Sequence, residues 1–262
     1  MAFDMNNFVI DRIIRGVALS QKDDSVLFSI NQIQNASLNC ASESTDAVDA
    51  MGTPIATFYR AKSAEFSAEN ALFDMNLMAT QLGTEKKVAS ATSKVVAPAM
   101  ESFTVAEGGK YDLKHIPVKA PKEIYALNDD STFGVKYAMA TAATATEFSI
   151  SGKTISLPTD LAAGTEMFVM YEYETENAVE VVNSAKNFPV GCKFVMEVLG
   201  CDVCDQTNLV YAYVIFNNAK LSPDFDWSIA TDGTHPFSMK AQQDYCDKEK
   251  RLFSIVIPGD AE

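Results

Sequence analysis

Two histidines, five cysteines and a scatter of carboxylates are the side chains here that could do chemistry. His115 lies between Lys114 and Ile116 in a strand-like context, and His235 precedes Pro236 in a turn. A nucleophilic site needs one of them beside a nucleophile and a group that orients the imidazole. No nucleophile elbow accompanies either, so both read as structural or surface residues. Cys201 and Cys204 flank Asp202-Val203, and thiolates at that spacing can share one tetrahedral zinc. Such a site takes four ligands, and the chain has no second pair of this kind. Cys192, Cys246 or His235 would have to complete it from elsewhere in the fold. A hairpin turn after Gly200 is the simpler reading, and no βαβ setting supports a redox motif.

The carboxylates are weighed in the same way. Glu43, Asp46 and Asp49 stud one segment, and Asn128-Asp129-Asp130 marks another. Oxygen-rich loops hold Ca²⁺, but neither stretch follows the EF-hand pattern, so both read as solvated turns. A carboxylate pair for glycoside hydrolysis needs a cleft with sugar-stacking aromatics, and Trp227 is the one tryptophan. Gly108-Gly109 is a turn rather than a phosphate cradle, and no dinucleotide fingerprint is present. The chain therefore reads as a non-enzyme with no cofactor and no metal.

Composition narrows the partners. The 262 residues carry 21 basic and 35 acidic side chains, a formal charge of −14. That excess opposes grip on nucleic-acid phosphates and attraction to anionic membranes. With 47% hydrophobic residues a sizeable core is expected. The first residues lack a basic segment followed by an apolar one, so no signal peptide is expected, and no run is apolar enough to span a bilayer. An odd number of cysteines without a signal fits free thiols in a reducing compartment. The 11 Met, 16 Phe and 9 Tyr are core material first and an adaptable interface second.

Stepping outward, the elements that must position these residues are nearly all strands. LVYAYVIF (Leu209–Phe216) is a run of apolar residues bounded by turn formers, and it predicts a strand buried on both faces. Residues 1–24 read as an extended arm or short helix. Strands are expected at Val26–Ile33, Ile55–Tyr59, Lys62–Phe66 and Lys193–Leu199, with a polar loop at Ala41–Pro54. One helix is expected. Ser67 caps it, Leu72, Met75, Ala79 and Leu82 form its apolar stripe, and Gly83 supplies a left-handed end. From Ser102 to about Glu180, short strands recur roughly every ten residues, the rhythm of a small sandwich. Charge shifts there too: residues 101–182 carry 13 acidic and 6 basic side chains (net −7), residues 1–100 carry 11 and 8 (net −3). The expected architecture is mainly β. Residues 1–100 and 183–262 form one split sandwich or partial barrel with a flanking helix, and residues 101–182 form an inserted sandwich.

Two segments also carry a family likeness. FVIDRIIRG, SINQIQNASLNCASESTDAVDAMGTPI and FYRAKSAEFSAENALFDMNLMATQLGTEKK make up the first. The second is VYAYVIFNNAKLSPDFDWSIATDGTHPFSMKAQQDYCDKEKRLFSIVI, with its TDG-x-HPF-type turn and closing strand. Together they resemble the major tail tube proteins of tailed bacteriophages, and residues 102–180 resemble the immunoglobulin-like sandwiches such proteins carry. The resemblance implies hexameric rings joined through an inner β-barrel and stacked into a conduit for genome delivery. It implies a place in the virion, with partners in copies of itself, a sheath if the tail contracts, the tape measure, the baseplate and the tail terminator. The segment Ala41–Pro54 would reach a neighbouring ring or subunit, and DNA would pass without being held. Glu43, Asp46, Asp49, Glu65 and Glu69 are the expected lumen-facing or inter-ring acids. The rival readings are a capsid decoration or baseplate protein whose insert binds a host surface, and a metal-dependent hydrolase.

Overall fold

The computed structural model describes Met5 and residues 7–245 and 248–259. It divides into two compact units, Met1–Lys86 with Val181–Glu262, and Lys87–Glu180. In chain order the first unit opens with β1 (Phe8–Ser20), β2 (Val26–Ile30), β3 (Ile33–Val48), β4 (Pro54–Asn70) and α1 (Met75–Gln81). The second unit holds β5 (Lys87–Val88), β6 (Val95–Thr104), β7 (Lys110–Asp112), β8 (Glu123–Leu127), β9 (Phe133–Met139), β10 (Glu147–Ser151), β11 (Thr154–Ser156), β12 (Glu166–Thr175) and β13 (Val179–Glu180). The chain then returns to the first unit with β14 (Gly191–Asp202), β15 (Asp205–Leu221), β16 (His235–Ala241) and β17 (Ser254–Val256).

The first unit is one sheet in the order β2-β1-β14-β15-β16-β4-β3, with β17 added beside β15. Alternation along each strand sends one set of side chains to a common core. Phe28, Phe66, Phe194, Phe216 and Phe237 meet there, with neighbouring ring centroids 5.7–6.4 Å apart. Gly16 faces Phe194 so closely that a Cβ would meet its ring, which explains a glycine inside a strand.

Several expectations change here. The N-terminal arm is strand β1 from Phe8, paired with β14 along its length. The polar loop Ala41–Pro54 is most of a hairpin, because β3 and β4 stay paired out to Val48 and Pro54. Ser67 lies within β4 rather than capping a helix. The helix starts later, where the Asp74 carboxylate accepts from the Asn76 and Leu77 amides at 2.9 and 2.7 Å. Its buried residues are Leu77, Ala79, Thr80 and Gln81, whereas Leu72 is exposed. Gly83 ends it at φ +66 as the spacing requires, and a Cβ there would strike the Phe188 backbone. Strand Leu209–Phe216 is real but buries one face. Val210, Ala212, Val214 and Phe216 enter the core, while Leu209 and Tyr211 remain exposed.

The second unit is a seven-stranded sheet, β6-β12-β8-β9-β10-β11-β7, mostly antiparallel with a parallel β9–β10 contact. Its two end strands are tied together. Tyr111 on β7 stacks on Phe103 of β6, centroids 3.7 Å apart, and gives its hydroxyl to Glu101 at 2.8 Å. Glu101 is buried and fully satisfied: Tyr171 Oη and the Lys114 amide at 3.1 Å also donate to it. Burial alone would raise this carboxyl, but the donors from Tyr171, Tyr111 and Lys114 outweigh it and hold it below its ordinary 4.5. Residues 85–101 hold β5 and the start of β6. Lys87 and Val88 pair with Glu180 and Val179, so the two strands that bound this unit lie side by side.

Candidate assembly surface

Both histidines and the Cys201/Cys204 pair lie in structural settings. His235 lies not in a turn but at the start of β16, where it is fully buried. Its Nδ1 accepts the Asp74 amide at 3.3 Å, which leaves Nε2–H to donate to Gln81 Oε1 at 2.8 Å. The Gln81 amide in turn donates to the Pro236 carbonyl. This imidazole therefore pins α1 to the sheet. His115 stacks on Tyr173, centroids 3.8 Å apart. Cys201 and Cys204 bracket the β14–β15 turn, one buried and one exposed, with the Cys204 amide donating to Asp202. Cys246 lies outside the described residues. Among the described residues no group of three metal-ligating side chains comes together. Asn128 and Asp130 hold a tight turn by bonding Thr132.

The surface that stands out is backbone and apolar side chain rather than reactive group. Beyond the Ala41/Ser63 pair, β3 and β4 leave the sheet as a two-stranded ribbon, and its residues from Ser42 to Lys62 are all exposed. β16 covers the edge of β4 only from Glu65 to Asn70. Register then sorts the ribbon's side chains. Glu43 sits opposite Arg60 and Thr45 opposite Phe58 on one face, while Ser44 opposite Tyr59 and Asp46 opposite Thr57 occupy the other. Asp49 closes the tip by accepting the Met51 and Thr53 amides, both at 2.8 Å. Met51, Ile55, Phe58 and Tyr59 are apolar and open to water, Met51 at 92%. A two-stranded hairpin with no covered face is marginal in water, so this ribbon calls for a partner.

The predicted acids thus separate into two sets. Glu43 and Asp46 face opposite ways on the ribbon, and Asp49 is used in its turn. Glu65 and Glu69 share the sheet face away from the core, where Glu65 lies opposite Lys240 in register. Glu69 accepts from Asn35 and Thr234 at 3.3 and 3.1 Å, and it lines a cavity of about 440 Å³ with Asp224 and Asp226. The ribbon's apolar residues carry no reactive group, so a search of the sequence for chemistry passes over them. Their signal is a cluster of large apolar residues beside Gly52 in an otherwise small and polar stretch.

A second open edge lies on β1. β2 pairs with it only at Gly16–Leu19, leaving the stretch from Phe8 to Arg15 unpaired on that side. Such an edge, with Val9 and Ile10 exposed, invites another strand.

The model of the YomU/Tube protein family matches residues 8–252, nearly the whole chain. A comparison with curated proteins finds no match. Among the described residues no helix is long and apolar enough to cross a membrane. A mainly β chain with an uncovered ribbon and an open strand edge, matched from β1 to the approach of β17, belongs to the YomU/Tube protein family as a structural protein of the phage tail tube.

Proposed function

We propose that copies of this chain close into rings of six and that the rings stack into the tube through which the phage genome leaves. The observation that carries the reading is the ribbon from Ser42 to Lys62, with apolar residues on exposed faces and no cover among the described residues. In a ring the open β1 edge accepts a neighbour's strand, and in a stack the ribbon packs on the adjoining subunit or ring. Glu43, Asp46 and Asp49 then belong to contacts between copies. Glu65 and Glu69 belong to the lumen wall, where negative charge keeps DNA sliding by denying phosphates a cationic surface. The second unit, Lys87–Glu180, which takes in nearly all of residues 101–182, forms an accessory module of immunoglobulin-like character, inserted into the tube domain and not needed for its assembly. Sheath, tape measure, baseplate and terminator meet the assembled tube rather than the single chain.

Negative-stain electron microscopy of the purified protein tests this. Rings or stacked tubes of uniform diameter are expected. A compact monomer at high concentration, with no tubes under any salt condition, would refute it.

A further inference from the structure

The face of the second unit that points away from its core carries an apolar strip across four adjacent strands. Met100 on β6 sits directly opposite Met170 on β12, and Phe168 on β12 sits opposite Tyr125 on β8. Phe133 on β9 stacks on Tyr125 at 4.9 Å and meets Phe168 at 5.0 Å. Met100, Met170 and Phe133 are 65%, 50% and 58% exposed, although their strands are well ordered by pairing. Beside the strip on β12 stand Glu172 and Glu174, both exposed. Among the described residues neither has an ion-pair partner, whereas Glu123 on β8 is held by Lys136 at 3.0 Å.

We infer that this strip is a docking surface for a polypeptide of a different chain, one that presents apolar side chains flanked by lysine or arginine. Three features select that occupant. Unpaired carboxylates beside apolar area favour a cationic rim and oppose phosphates and anionic lipid. A second copy meeting the same face would bring Glu172 and Glu174 of both copies into one interface, a build-up of like charge that costs affinity. A saccharide needs a flat ring with free hydrogen-bonding groups around it. Here Phe133 is tilted 38° from Phe168, the Tyr125 hydroxyl is already given to Glu123 at 2.5 Å, and two thioethers occupy the other end. Methionine side chains reshape to fit another protein's side chains, which suits them to this role.

The test uses the full chain and three labelled strand peptides of equal length, alternating Leu/Lys, Leu/Glu and Ser/Lys, read by fluorescence anisotropy. The Leu/Lys peptide is expected to bind at least about tenfold more tightly than the other two. Met100→Ser with Met170→Ser, and separately Phe133→Ser, should weaken it about tenfold while circular dichroism and Tm stay unchanged. Glu172→Gln with Glu174→Gln should weaken it and flatten its salt dependence. Equal binding of the Leu/Lys peptide by all variants, equal binding of the Leu/Glu peptide, or binding of dextran with no peptide binding would each overturn the proposal. These outcomes leave tube formation untouched, so they are separable from a failure of the ring assembly itself.

Discussion

At the scale of single residues, His235 and the cluster of Glu101 with Tyr111 and Tyr171 set how stability depends on pH. Burial pushes the His235 imidazole below its ordinary 6.5, against a smaller opposing pull from Asp74. Its folded form is neutral, so protonation must break its acceptance of the Asp74 amide. Stability is therefore full above the unfolded value of 6.5 and declines as pH falls below it. Thermal unfolding followed from pH 8 to pH 5 should show Tm dropping only on the acid side, with that drop absent in His235→Gln. Glu101 acts lower and Tyr111 and Tyr171 act higher. The Glu101 carboxyl is held below 4.5, so its contribution is complete above that value and lost on further acidification. Burial, then donation to Glu101, pushes both tyrosines up to about 12. Their share is intact below pH 10 and disappears between 10 and 12. Glu101→Ala removes the acceptor for the buried Tyr171 hydroxyl and the half-buried Tyr111 hydroxyl and should cost about 3 kcal/mol in chemical denaturation. Tyr111→Phe should cost about 1 kcal/mol.

At the scale of elements, the proposed assembly rests on a ribbon that does not carry the fold of its own unit. Residues Glu43 to Arg60 touch no core side chain, so replacing them with a short turn should move Tm by only a few degrees while abolishing tubes in electron micrographs. Phe58→Asp with Tyr59→Asp should give the same result with one residue changed on each face. This element also marks where sequence reading succeeds and fails. A strand with one buried face alternates, and Val210, Ala212, Val214 and Phe216 make that plain. The ribbon has no buried face, so Ser42 to Val48 show no contrast between neighbours, and the stretch reads as a loop. Ser67 resembles a cap in sequence because a small hydroxyl precedes apolar residues. In β4 it lies instead between buried Phe66 and Ala68 on an outward position. The helix end at Gly83 was legible because a positive φ leaves few residue choices. The family resemblance brought attention to Glu43, Asp46 and Asp49, but which face each occupies depends on register with Arg60 and Thr57, a relation between distant residues that no local pattern encodes.

At the scale of the whole molecule, the formal charge of −14 suits a surface that must not hold DNA. Glu65→Lys with Glu69→Lys should leave tubes intact by electron microscopy while slowing genome release in an ejection assay, because cationic walls bind phosphates. Unchanged release would remove these two residues from the lumen wall. Joining Lys86 to Val181 through a short Gly/Ser linker, with residues 87–180 omitted, should still give tubes of the same inner diameter.

The small pairing of Lys87–Val88 with Val179–Glu180 explains why such an excision is geometrically simple. The polypeptide crosses into the second unit and comes back at neighbouring points, one strand spacing apart. That clip works as a socket. Any module whose first and last residues lie side by side can be plugged in there, or left out, without re-registering a single strand of the first unit's sheet. In the proposed tube, the second unit is thereby free to change in sequence and shape while the first unit keeps its register.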